Sequence, residues 1–263
     1  WAERMSSPLK PVFIASRDNA LAKLLRKLAQ DPGAYRRQGQ IWVEGDHLCR
    51  AALERGVRPQ WAVISERAWG QVPASWYAGA ERLAVLDDAL FVQASTLESP
   101  ASMGFLLPWS DQQAVLQPQQ DSIVLDRVQD AGNVGSILRT ASAMGFRQIL
   151  ALKGTAALWS PKVLRAGMGA HFGLQLHEGL SLDDLDALQV PLLVTHLQGA
   201  QLLHEAALPR PCAWVMGHEG QGVQQGLVDR ASLLLRIAQP GGEESLNVAS
   251  AAAICLYASS IAR

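Results

Sequence analysis

Three short segments carry residue types suited to chemistry at spacings that ordinary packing does not require. They are Asp130-Ala-Gly-Asn-Val-Gly-Ser-Ile-Leu-Arg139, Gly217-His-Glu-Gly-Gln-Gly222 and Pro240-Gly-Gly-Glu-Glu-Ser-Leu-Asn247. Glycines leave backbone N–H groups open to a ligand, and the Asn, Glu, Arg and Ser side chains beside them can bind or orient polar groups. The glycine spacing is not G-x-G-x-x-G, no ribose-binding acid follows at the right distance, and no GxxxxGK[ST] loop occurs. Nucleotide binding of the familiar kinds is therefore disfavoured. His218, Glu219, His171 and His196 match no metal-ligand spacing, so no metal is expected.

Each segment follows a predicted strand, at 122–126, 212–216 and 233–237 respectively. The carboxyl edge of an open α/β sheet is where ligands generally bind. In the first segment Asn133 is the expected helix cap, and Val134, Ile137, Leu138 and Ala141 form the buried face. Arg139 lies five residues beyond Val134, about 140° around the helix, and so points away from that face. It is free to meet a phosphate, a carboxylate or a partner subunit. In the third segment Ser245 is the expected N-cap of a final helix built from Ala249, Ser250, Ala251, Ala252, Ala253, Ala258 and Ser259. Side chains that small let another backbone come close, as around a bound ligand. An ordinary final βα unit would use the same residues.

The elements that must position these segments alternate between strand and helix. Before residue 108, a basic amphipathic helix over 16–30 precedes short strands at 40–43, 57–65, 83–86 and 103–107, with a helix through Leu53. Residues 108–120 contain two prolines and five glutamines without periodicity and read as a linker. Beyond it, strands are expected at 122–126, 148–152, 173–176, 192–195, 212–216 and 233–237. Helices are expected at 133–144, 161–170, 182–188 and 222–231, before the last one. This pattern predicts a parallel sheet covered by helices on both faces (121–263), preceded by a smaller α/β domain (1–107).

Composition bounds the function. Of 263 residues, 49% are hydrophobic and 18% charged, enough for a substantial core. Cys49, Cys212 and Cys255 are far apart and form no CxxC pair, which indicates neither a disulfide framework nor a zinc site and points to a reducing, cytoplasmic compartment. The most apolar run, 246–258, is too short to span a bilayer, and no signal peptide or anchor is evident. The net charge of −1 hides a gradient: residues 1–60 hold 11 Lys+Arg against 6 Asp+Glu. That basic balance suits a nucleic-acid face, and equally a solvated surface.

Taken together, the three segments resemble the motifs of the SpoU (TrmH) family of RNA ribose 2′-O-methyltransferases, within the SPOUT superfamily. The family's N-x-G-x-x-x-R-[TS]-A pattern is met by Asn133, Gly135, Arg139, Thr140 and Ala141. G-x-E-G-x-G is met by Gly217, Glu219, Gly220 and Gly222, and P-x-x-x-x-S-L-N-V by Pro240, Ser245, Leu246, Asn247 and Val248. The likeness covers about 120–263. More loosely, residues 39–53 resemble the family's L30e-like substrate-binding domain. The resemblance implies S-adenosylmethionine bent in a C-terminal trefoil knot, held around Gly217, Gly222, Ile237, Leu246 and Asn247, with Thr195 and Leu197 flanking. It implies catalytic roles for Asn133, Arg139, Glu219, Ser245 and Asn247, with Arg139 stabilising an alkoxide, anchoring a phosphate or acting as base, and Glu219 able to orient it. It further implies a homodimer with sites completed across the interface. The substrate it suggests is large-subunit rRNA, with tRNA second; a catalytically idle RNA-binding or ribosome-assembly factor is the rival of another class, and a nicotinamide-dependent oxidoreductase a third. Four positions depart from the pattern: Ala131 replaces the usual Pro, Gly167 a frequent Ser, His218 a frequent Asn and Ala249 a common Ser.

Overall fold

A computed structural model describes residues 9–111, 114–197, 200–242 and 245–262. Glu243 and Glu244, the acidic pair of the third segment, lie outside them. The chain divides into two compact units. One runs to Asp111 and includes Trp159–Arg165; the other holds Gln112–Leu158 and Ala166 onward.

The first unit contains β1 (Pro11–Ile14), α1 (Ala20–Gln30), α2 (Ala34–Gln38), β2 (Gln40–Glu44), α3 (Asp46–Glu54), β3 (Trp61–Ser65), β4 (Arg82–Leu86), α4 (Asp88–Gln93) and β5 (Met103–Pro108). Its sheet has the order β1-β4-β3-β5-β2, parallel across β1, β4 and β3 and antiparallel where β5 meets β3 and β2. Asn19 caps α1 by accepting from the Leu21 and Ala22 N–H groups, so the helix starts at Ala20 rather than Ser16. Leu21, Leu25 and Leu28 are buried, as their spacing predicts. Trp42 is buried, and its indole N–H donates to the Ala94 carbonyl at 2.8 Å. Gly104 makes room for that ring, since a Cβ there would lie 2.1 Å from it. The sequence pattern does not reveal β1 or α4: two of the four β1 residues are exposed, and both elements are too short to show periodicity.

The second unit contains β6 (Ser122–Leu125), α5 (Ala131–Ala143), β7 (Gln148–Leu152), α6 (Pro161–Gly167), β8 (Gln175–Leu180), β9 (Leu192–Thr195), β10 (Gln201–Leu202), β11 (Ala213–Met216), α7 (Gln225–Val228), β12 (Leu233–Arg236) and α8 (Val248–Ile261). Of α6 only Ala166 and Gly167 belong to this unit; Pro161–Arg165 belong to the other. The seven strands are all parallel, in the order β10-β12-β9-β11-β6-β7-β8. Sequence runs outward from β6 through β7 to β8, then resumes on the other side at β9, and β11 later fills the gap. That reversal brings the carboxyl ends of β6, β9, β11 and β12 side by side.

One core lies around Val124, Leu150, Val194, Val215 and Leu227. Elsewhere in the unit α8 packs against α5 and β11, burying Ala252, Cys255, Leu256 and Ser259. Ser259 Oγ accepts from the indole N–H of buried Trp214 at 2.8 Å. The small side chains of α8 thus allow the close approach expected of them. Some details differ from expectation. Residues 183–187 form a 3-10 turn instead of a longer helix, and β8 starts at Gln175 after a second 3-10 turn at Ala170–Gly173. Runs this short do not distinguish α from 3-10 geometry by pattern. Among the described residues, no helix is long and apolar enough to cross a membrane.

Candidate functional site

The three motif segments meet at the carboxyl edge of the second unit's sheet, joined by a chain of side-chain amides. Asn247 Oδ1 accepts from the Ala249 and Ser250 N–H groups at 2.9 and 3.1 Å. Its Nδ2 must therefore face the other way, and it donates to Asn133 Oδ1 at 2.9 Å. Asn133 Nδ2 in turn donates to Glu219 Oε1 at 3.3 Å. Glu219 also accepts from the N–H of Gln129 at 3.1 Å and of Asp130 at 2.9 Å. Partial burial works against ionising this carboxyl, yet the hydrogen bonds from Asp130, Gln129 and Asn133 outweigh it and hold the group below the usual glutamate range.

This geometry corrects three expectations. Asn247, not Ser245, is the N-cap of α8, which starts only at Val248. Ser245 is exposed and caps no helix among the described residues. Asp130, not Asn133, caps α5, accepting from the Asn133 N–H at 2.8 Å; this frees the Asn133 carboxamide to bridge the other two segments. Within the chain Glu219 does not pair with Arg139; its oxygens accept from the 129–133 turn instead. Arg139 is exposed on α5 and makes no hydrogen bond or ion pair among the described residues.

Thr195 ends β9, and Leu197, Gly217, Gly222, Ile237 and Leu246 follow β9, β11 and β12, which are neighbours in the sheet. Leu197 and Leu246 are 60% and 38% exposed, a surface an apolar ring could cover. Gly222 adopts φ +69°, open space surrounds the Cβ positions of Gly222, Gly241 and Gly242, and His218 and Gly222 exchange two backbone hydrogen bonds to close a tight hairpin. Gly217 is needed for that hairpin itself, since a Cβ would lie 2.6 Å from the Val223 nitrogen. The edge thus combines apolar side chains, open glycine backbone and polar amides, and those groups suit S-adenosylmethionine.

The four departures have local reasons. Ala131 is the first residue of α5, a position that suits Pro but does not require it. His218 Nδ1 accepts from the Gly220 and Gln221 N–H groups at 3.0 and 3.1 Å, as an Asn carboxamide could. A Cβ on Gly167 would come within 2.7 Å of the buried His171 ring. Ala249 contributes its backbone N–H to Asn247, for which any side chain serves. Sequence reasoning missed Asp130 and the fully buried Asp126. The Asp126 carboxylate accepts from Gln224 N–H at 2.8 Å and Gln224 Nε2 at 2.5 Å, and its only signal is a carboxylate directly after an apolar strand. Among the described residues, no cluster of His, Cys, Asp and Glu is arranged to hold a metal ion.

Solved structures share this architecture across nearly the whole chain. An rRNA methyltransferase from Sinorhizobium meliloti superposes with a TM-score of 0.81 at 26% identity, covering 96% of this chain and 98% of that one. A putative RNA methyltransferase of the TrmH family from Porphyromonas gingivalis gives 0.78 at 28% identity, covering 92% and 97%. Fold and site together define a SPOUT-type methyltransferase. The chain belongs to the SpoU rRNA methylase family, whose pattern matches residues 121–257. It is 32% identical over 259 residues to an uncharacterized tRNA/rRNA methyltransferase of Synechocystis sp., covering 93% of this chain and 92% of that protein. It is 31% identical over 219 residues to the 23S rRNA (guanosine(2553)-2′-O)-methyltransferase RlmP of Bacillus subtilis, covering 82% and 86%.

Proposed function

We propose that the protein transfers a methyl group from S-adenosylmethionine to a ribose 2′-hydroxyl in large-subunit rRNA. The observation that carries this reading is the Glu219–Asn133–Asn247 chain, which joins all three motifs at one sheet edge. The cofactor supplies an electrophilic methyl carbon. Thr195, Leu197, Gly217, Gly222, Ile237, Leu246 and Asn247 would hold it, with Leu197 and Leu246 covering its apolar surface. A ribose hydroxyl is a poor nucleophile at neutral pH, so its proton must leave as the new O–C bond forms. Arg139, a planar and persistently charged group, stabilises the developing alkoxide and anchors a neighbouring phosphate. Glu219 fixes the 129–133 turn that starts α5 and thereby sets where Arg139 stands; Asn133 and Asn247 keep the third motif in register with it. Ser245, exposed beside Leu246, is available to the incoming ribose or to the cofactor.

The active form in this reading is a homodimer. In support, α8 carries Ile254, Tyr257 and Ile261 along one outward stripe, 41%, 55% and 59% exposed. Arg139 has no partner of its own among the described residues, as suits a group reaching into a neighbouring subunit's site. The N-terminal domain expected from the sequence, residues 1–107, with the linker 108–120 after it, docks the RNA, its basic α1 surface (Lys23, Lys27) supplying phosphate contacts. The C-terminal knot belongs to the same reading: α8 packs beside β11 although the strand before it, β12, lies on the far side of β9, so the chain after Pro240 must cross back. A cofactor-bound crystal structure with that chain running unthreaded would remove the knot. Three buried free cysteines fit a reducing, cytoplasmic setting. The Synechocystis relative's description keeps tRNA as the second substrate.

The test is methyl transfer from radiolabelled S-adenosylmethionine to separated rRNA and tRNA, followed by mapping of 2′-O-methyl sites. Label in one rRNA nucleotide is expected. Cofactor binding with no label in any RNA would instead favour the idle assembly factor.

A further inference from the structure

We propose that Arg127 is a positioning residue for this reaction, clamping the 217–222 hairpin in the shape that receives the cofactor; the inference rests on the reading that this hairpin faces S-adenosylmethionine. Arg127 is one of two non-glycine residues, with Met168, at positive φ among those described, at +58°. L side chains rarely adopt that conformation, and a glycine would hold it without strain. An arginine kept there needs a compensating role, and its guanidinium shows one. Nε and Nη2 donate to the two oxygens of buried Asp126 at 2.9 and 3.2 Å. Nη1 donates to Gln221 Oε1 at 2.9 Å, and Nη2 also reaches the Gly222 carbonyl at 3.4 Å. One side chain therefore ties the end of β6 to the tip of the hairpin.

The surroundings are shaped for it. Gly154, at φ +95°, leaves room for the arginine's stem, since a Cβ there would lie 3.1 Å from Arg127 Cγ. Asp126 also accepts from Gln224, through both its N–H and its side-chain amide. The hairpin tip at Gln221 and Gly222 and the end of the segment at Gln224 are thus referred to a single buried carboxylate, the first through Arg127 and the second directly. The hairpin's own bonds, two between His218 and Gly222 and two onto His218 Nδ1, fix its internal shape. None of the four sets its angle to the sheet; Arg127 does so, alongside the hydrogen bonds that the 129–133 turn gives Glu219.

A merely structural role would be to neutralise Asp126, and a lysine would do that. A lysine lacks the fork needed to hold Asp126, Gln221 and Gly222 together. Arg127→Lys should therefore keep the melting temperature close to wild type. It should weaken S-adenosylmethionine binding by calorimetry about tenfold, the scale of one charge-assisted hydrogen bond. Methyl transfer at saturating cofactor should change much less, so the effect falls on KM rather than kcat. Hydrogen exchange at the Gly220, Gln221 and Gly222 amides should quicken while strand amides stay protected. Gln221→Ala, which leaves the Asp126 pair intact, should give the same effect in smaller measure, and the double variant should be no worse than Arg127→Lys alone. Hairpin exchange and cofactor affinity both unchanged in Arg127→Lys would overturn the proposal. Hairpin exchange reads the clamp in the free protein, so a wild-type chain that binds no S-adenosylmethionine would sink the cofactor reading separately.

Discussion

Asn247 does two jobs that substitution can separate. Its Oδ1 caps α8 through two N–H groups, and its Nδ2 holds Asn133. Asn247→Ala removes both. Losing the cap costs about 1 kcal/mol, and losing an exposed amide–amide hydrogen bond costs about 0.5–1.5 kcal/mol more. At roughly 2–4 °C per kcal/mol for a domain of this size, the melting temperature should fall by about 3–10 °C. Asn247→Asp keeps an oxygen at the cap and adds negative charge at a helix N-terminus, which is favourable there. It loses the donor toward Asn133, however, and presents a second acceptor to Asn133 Oδ1. Rotating Asn133 to meet it would turn the carboxamide's other end away from Glu219. The Asp variant should therefore melt within about 2 °C of wild type while losing methyl transfer as severely as the Ala variant. Thermal unfolding by circular dichroism and a radiolabel transfer assay on the same preparations decide the matter. An Asp variant with full activity would show that the amide chain is not used; one as unstable as Ala would show that the cap is not where the stability lies.

Arg139→Ala should leave folding and cofactor affinity unchanged and slow methyl transfer about 10²–10⁴-fold, with little rescue by Lys. Mixing it with subunits disabled at Gly217 should restore some activity if Arg139 acts across a dimer, because one site of each heterodimer is then intact; verified heterodimers without recovery would rule that out. Lys23→Glu with Lys27→Glu should weaken RNA binding and flatten its salt dependence while leaving cofactor affinity alone; an unchanged salt slope by filter binding would exclude α1 as a phosphate-contacting face. Burial pushes the His171 imidazole down to about 4, the hydrogen bond with the Leu158 carbonyl offsetting only part of that. The unfolded chain therefore takes up a proton near its ordinary 6.5 that the folded chain refuses until about 4. Stability is complete above that window and falls through it by about 1.4 kcal/mol per pH unit. His177, also lowered by burial, acts in the same direction. Melting temperatures from pH 7 to 4.5 should show a steep loss that His171→Asn flattens; equal slopes would refute it.

The sequence by itself determined the alternation of elements, the parallel sheet and the three motif segments, because strand period, apolar runs and glycine spacing are local properties. Arg139's outward direction followed from helix geometry alone. Tertiary structure decided which polar group serves which partner. Ser245 and Asn133 satisfy every local rule for a cap, yet Asn247 and Asp130 hold those posts. A cap is chosen by where the helix must begin to pack, and α8 begins where Asn247 can also reach a residue 114 positions away. Glu219 lies 80 positions beyond Arg139 in the chain, and nothing local reveals that two N–H groups of the 129–133 turn, rather than a guanidinium, would claim its oxygens. Arg127 and Gly154 look like surface residues in the sequence. Only the fold, by pairing β6 with β7 and so bringing the residues that follow each strand together, makes one the room for the other. Hydrogen-bond partners far apart in sequence are set by the sheet's order, and strand order is the property that period and composition leave open.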